Sequence, residues 1–139
     1  MDVERLLSLA RSGLWSDRAF AGRELSGFVG DEQVDVVVHS LLLDPRDTAV
    51  TDATAEGLLL RADGPALRLF TSAWTTGDDE HSQHLYDALS GRLFTLSCGS
   101  QADRSRFRRA LRELLVDADV AVRDGAQEIL AYLVRALPD

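Results

Sequence analysis

The chain holds a single cysteine, Cys98, so no disulfide can close within it. A lone thiol near Leu96, with no histidine in motif spacing, reads as a small buried hydrophobe rather than a nucleophile. Long apolar runs are missing too. Val36-Val37-Val38 and Leu58-Leu59-Leu60 fall far short of the roughly 20 residues that span a bilayer. Met1-Asp2-Val3-Glu4 lacks the basic start and apolar stretch of a signal peptide. With the lone thiol, that makes a reducing cytoplasm the expected compartment. There is no Gly-rich phosphate loop, because Gly22, Gly27 and Gly30 fall at helical spacing or in turns. No serine sits in a nucleophile elbow. No catalytic motif is present, and neither an enzymatic activity nor a cofactor is expected.

Lysine is absent as well: all 15 basic residues are arginines. Together with abundant Ala, Leu, Asp, Gly and Val, this resembles proteins encoded by high-GC bacterial genomes. The net charge of −8 is uneven. Residues 31–64 contain eight acids against Arg46 and Arg61, whereas residues 101–139 carry seven charges of each sign. That balance repels phosphate backbones overall and favours basic partners, or simply solubility. At 139 residues the chain has the length of one domain, 1–139, with room for a core.

What the chain does have is helical periodicity. Val34, Val37, Val38, Leu41 and Leu42 follow i, i+3, i+4, i+7, i+8, and Val50, Ala53, Thr54, Gly57 and Leu58 repeat the pattern. The valine run could form a strand by propensity, but the apolar period on both sides is that of a helix. The pattern predicts about eight helices, at roughly 2–12, 16–29, 31–44, 48–61, 65–75, 79–97, 102–117 and 119–136. Ser90-Gly91 would kink or split the sixth. Thr48 and Asp119 are the expected N-caps of the fourth and eighth. Gly64-Pro65 reads as a glycine C-cap followed by proline in a first helical turn, and Pro138 as a terminator.

The chain also repeats itself. Leu42-Leu43-Asp44, then Ala49-Val50-Thr51-Asp52 and Glu56, recurs as Leu115-Val116-Asp117, then Ala121-Val122-Arg123-Asp124 and Glu128, with a one-residue difference in the turn. Weaker copies lie at Asp17–Leu25 and His81–Leu89. The anchor leucines are Leu25, Leu58, Leu89 and Leu130, spaced as stacked helical hairpins would be. DADVAVRDGAQEIL (117–130) and DPRDTAVTDATAEGL (44–58) resemble the second helix of a HEAT-like repeat. Thr51 stands where that family has arginine, Asp17 where it has valine, and His81 breaks the third copy. The resemblance implies an all-α fold, a short right-handed solenoid of about four hairpins. It further implies that Arg123 pairs with an aspartate of an adjacent repeat, and that binding is the usual work.

Three groups of residues carry candidate chemistry. The acids of the second repeat, Asp35, Asp44, Asp47, Asp52 and Glu56, would dock a basic protein or peptide, as in a small regulator or an inhibitor of a basic toxin. Reversing Asp47 and Asp52 would then abolish binding. Arg104, Arg106, Arg108, Arg109 and Arg112 would form an anion or nucleic-acid patch, a role with precedent in HEAT-like DNA glycosylases. Asp103, Glu113 and Asp117 balance them into an ordinary solvated face. His81 and His84, three apart among Asp78, Asp79, Glu80 and Asp87, would offer a metal two ligands. Acids gathered at a helix N-terminus account for the same cluster without a metal. Trp15 and Trp74 are expected to wedge between hairpins, or to serve as partner hot spots if exposed. Monomer or weak homodimer is the expected state, since an uncapped end would pair with another copy.

Overall fold

The computed structural model describes residues 1–137, so the role expected of Pro138 lies outside the described residues. Among them the chain is all-helical, with no strand. The helices are α1 (Val3–Leu9), α2 (Trp15–Leu25), α3 (Glu32–Leu42), α4 (Thr48–Arg61), α5 (Gly64–Thr76), α6 (Asp79–Ser97), α7 (Gln101–Glu113) and α8 (Val120–Ala136). Single 3-10 turns, Ser26–Phe28 and Leu114–Val116, tighten the ends of α2 and α7. The valine run lies in α3, where Val34, Val38, Leu41 and Leu42 turn inward and Val36 stays exposed. No helix is long and apolar enough to cross a membrane among the described residues.

Seven of the eight helices begin on an Asp or Ser whose side chain accepts a backbone N–H of the first turn; α2, entered from Leu14, has no such bond. Asp119 caps α8 as expected. Three local expectations need correction. Asp47, not Thr48, caps α4, because its carboxylate reaches the Ala49 N–H at 2.9 Å while Thr48 is already helical. The left-handed residue between α4 and α5 is Ala62 (φ 54°), and Gly64 opens the next helix behind the Asp63 cap. Ser90-Gly91 does not interrupt α6, since no neighbouring atom would approach a side chain at Gly91 and nothing wedges the helix there.

The most extensive packing joins α2 to α4, α4 to α6 and α5 to α8. Across the first two seams, contacts join residues 32 or 33 positions apart. Gly22 meets Thr54, Arg23 meets Glu56 at a separation of 33 residues, and Asp52 meets His84 at a separation of 32. The three helices therefore run in the same sense, side by side. Leu25, Leu58 and Leu89 are completely buried along that row. The row ends at α6. There α5 packs on α8 rather than folding back on α6, and α8 turns Val122, Ala126, Ile129 and Leu133 inward, leaving the expected anchor Leu130 half-buried.

Candidate functional site

A hydrogen-bonded network ties the starts of the row together. Arg18, buried at the head of α2, donates Nε and Nη2 to the two carboxylate oxygens of Asp44, both at 3.1 Å, and Nη1 to the Ser12 carbonyl. Asp44 also accepts the Arg46 and Asp47 N–H groups, which shapes the turn into α4. Its backbone carbonyl accepts Nε2–H of His81 at 2.7 Å, and His81 Nδ1 meets Asp78 Oδ1 at 2.7 Å. Thus α2, the α3–α4 turn and α6 are fastened in series. Burial by itself would raise the Asp44 carboxyl pKa. The Arg18 hydrogen bond and charge, with the two backbone donors, outweigh it and hold the carboxyl below its usual range.

This network settles where several candidate residues stand. Asp44 is buried and its oxygens are committed, so it offers no carboxylate to a partner. Asp35 accepts the Gly30 N–H ahead of α3, and Asp47 caps α4. Only Asp52 and Glu56 lie one turn apart on the outer face of α4, beside the half-exposed or exposed partners His84 and Arg23. His81 and His84 do not form a ligand pair. The first is turned into the Asp44 network and the second onto Asp52. Among the described residues no group of three or more His, Cys, Asp or Glu is arranged to hold a metal.

The arginines of α7 diverge as well. Arg104 donates to the Leu96 and Gly99 carbonyls at the end of α6, and Arg106 pairs with Asp103. Arg108 is buried and donates to the Leu137 carbonyl. Arg109 and Arg112 are exposed. Helical geometry scatters residues two and four apart over different faces, and two of the five serve as internal carbonyl partners. Arg123 also departs from expectation. It donates to the Asp117 and Ala118 carbonyls below α8 instead of pairing with a neighbouring repeat's aspartate. The long-range two-pronged arginine pairs are Arg18 on Asp44 and Arg68 on Asp117, and Arg23 adds a single exposed bond to Glu56. Asp44 and Asp117 are equivalent turn residues of the internal repeat. That equivalence was visible in the sequence, whereas the arginines lie 26 and 49 residues upstream with no shared spacing.

Comparison with family models, curated proteins and solved structures yields no match for this chain. A groove of about 330 Å³ lies between α4 and α6, lined by Glu56, Leu59, Leu60, Asp87, Ala88, Gly91, Arg92 and Thr95. Leu60 is 69% exposed at its edge. Leu60 and Arg92 also border a smaller depression of about 60 Å³ that continues toward Arg61, Asp103 and Arg106. The groove exists because α4 and α6 run alongside each other with small residues, Ala88 and Gly91, facing the seam.

Two aromatic expectations resolve differently. Trp74 lies half-buried between α5, α6 and α8, against Phe70 and Tyr86 at centroid distances of 6.0 and 6.4 Å, with Nε1–H on Glu128 at 2.9 Å. Trp15, the first residue of α2, is 52% exposed and wedges nothing. Cys98 is exposed too, because the backbone leaves α6 there and turns through Gly99 into α7.

The histidines give a direct check of the network. Burial alone would favour a neutral His81 ring. Yet its Nε2 faces a carbonyl and its Nδ1 a carboxylate, both acceptors only, so the doubly protonated imidazolium is favoured and the pKa is raised above 6.5. Burial lowers His39 below 6.5, against a smaller opposing pull from Asp119. In an NMR titration His81 should change charge at a higher pH than His39, with the reversed order refuting the assigned hydrogen bonds. A raised folded pKa stabilises fully below 6.5, and that contribution fades as pH rises through the folded value. His81→Gln should therefore cost more stability at about pH 5.5 than at about pH 8.5, as urea titrations would show.

Proposed function

We propose that this chain is a non-enzymatic protein-binding module, a short right-handed solenoid of HEAT-like hairpins that receives a basic segment in the α4/α6 groove. One observation carries the reading. Two carboxylates, Glu56 on α4 and Asp87 on α6, stand on opposite walls of an apolar groove beside the exposed Leu60. A cationic side chain would meet Asp87 on one wall and take the place of the exposed Arg23 on Glu56 on the other, while its apolar neighbours cover Leu60 and Ala88. The solenoid reading is supported by the repeat-length separation of contacts across the α2/α4 and α4/α6 seams. The net charge of −8 favours encounter with basic partners and opposes nucleic acid. The acidic site is thereby moved from the five carboxylates read along the sequence to Glu56 and Asp87.

The test is a chemical-shift titration of the full-length protein with acetylated, amidated peptides that carry lysine beside leucine. Shifts should concentrate on α4 and α6, and Glu56→Lys with Asp87→Lys should weaken binding at least about tenfold. Both residues are exposed, so the variant should fold unchanged. Shifts elsewhere, or affinity indifferent to the reversal, would overturn the assignment. Salt-sensitive DNA or RNA binding lost on Arg109→Ala with Arg112→Ala would put the nucleic-acid reading in its place.

A further inference from the structure

The α4/α6 groove is charged in a fixed order along its length. Glu56 and Asp87 stand toward one end, Leu59, Leu60, Ala88 and Gly91 in the middle, and Arg92 with Thr95 toward the other. Arg92 follows Asp87 by five residues, about 7.5 Å along α6. Its guanidinium differs from those around it. Arg61 is held by Asp63 at 2.7 Å and by the Ser26 carbonyl at 3.1 Å, and Arg106 by Asp103 at 3.4 Å. Arg92 makes no ion pair among the described residues, and its Nε–H is shielded from solvent without any hydrogen-bond acceptor. Its Nη amino groups have no partner among the described residues either and border the groove, so they are the donors an occupant can reach.

We propose that the groove reads a partner segment by charge order: a basic residue between Glu56 and Asp87, apolar residues over Leu60 and Ala88, and a carboxylate on Arg92. The proposal deepens the binding reading above and rests on it. A carboxylate is the acceptor that fits. It matches the planar guanidinium fork with two parallel hydrogen bonds from the Nη amino groups, which stay open to the groove while the Nε–H is closed off by protein atoms. Its single charge suits a position that Asp103 also borders, whereas a doubly charged phosphate would be repelled there. The carboxylate belongs to an Asp or Glu side chain of the segment. Acid and arginine at opposite ends give the groove a direction, so an all-basic segment leaves Arg92 unanswered.

The experiment uses the full-length protein and an array of acetylated, amidated peptides. In each, lysine is followed after one to five Leu or Ala residues by Glu or by Gln. At the best spacing the Glu peptide should bind about tenfold or more tightly than its Gln twin. Arg92→Gln should erase that difference while leaving the Gln peptide's affinity within about twofold, and Arg92→Lys should fall between, since it keeps the charge but loses the fork. Circular dichroism of both variants confirms the fold. Lysine-dependent binding with Glu and Gln equal at every spacing overturns the charge-order proposal and leaves the basic-segment reading standing. Binding that ignores lysine and Glu alike, or none at all, overturns both. A Glu preference that survives Arg92→Gln also refutes the role given to Arg92.

Discussion

Replacing Asp44 by alanine should destabilise the fold by about 3–5 kcal/mol, measured by urea denaturation at pH 7. The figure follows from what the substitution leaves behind. Arg18 is 3% exposed and its two-pronged partner is removed, so an ionised guanidinium stays in a site that cannot solvate it. The turn into α4 also loses the acceptor for the Arg46 and Asp47 N–H groups. Asp117→Ala is the internal control. Asp117 makes the same two-pronged bond to Arg68, but that arginine side chain is 46% exposed, so water can replace the carboxylate and the cost should be about 1 kcal/mol. Similar losses for the two variants would refute the argument from burial. The same bonds fix an acid dependence. Because the Asp44 carboxyl lies below its ordinary range, its contribution is present above about pH 4 and disappears as pH falls through the folded value. The Asp44→Ala variant should therefore lose less stability on acidification than the parent protein.

Gly125→Ala should cost about 3 kcal/mol, although alanine is normally the better helix residue by about 1 kcal/mol. The added methyl would fall well inside the van der Waals radius of the Thr71 carbonyl oxygen, and within 2.9 Å of Thr75 Oγ1. A backbone oxygen in mid-helix cannot move aside without parting α5 from α8. The two are already stitched by the Thr75 hydroxyl, which donates to the Ala121 carbonyl at 2.7 Å. Gly91→Ala provides the opposite sign. Gly91 lies within α6, with no atom within 4 Å of the place a methyl would take, so the same exchange should stabilise by about 0.5–1 kcal/mol. Thermal melts of the two variants should move in opposite directions. A Gly125→Ala melting point equal to the parent would show that the α5–α8 crossing has room to spare.

Local pattern accounts for the all-helical architecture, since a 3.6-residue apolar period and short polar caps act over a few residues and need no distant partner. The α3 valines show it: periodicity placed them in a helix against their own strand propensity, and α3 buries Val34 and Val38 accordingly. Three of the four leucines expected as anchors, Leu25, Leu58 and Leu89, are buried where α2, α4 and α6 lie side by side. The fourth anchor failed for a tertiary reason. Once α5 packs on α8 through Gly125, the inward face of α8 is set by that crossing, and Ile129 takes the buried place instead of Leu130.

Site chemistry was less legible, because charge along a sequence does not say which charges are already spent. Asp44 and Asp52 look alike in sequence, yet one is consumed by Arg18 from 26 residues away and the other stays at the surface beside His84. The α7 arginines read as a patch until the end of α6 and Leu137 supply carbonyls for Arg104 and Arg108. Arg92 carried no signal at all, since an unanswered donor is defined by the atoms around it and not by its sequence neighbours. Sequence determined that the chain is all-helical and about where its helices lie, both governed by short-range sterics and periodic burial. Only the tertiary structure decided which ionic groups face each other, because desolvation and pairing depend on distances that the order of residues does not contain.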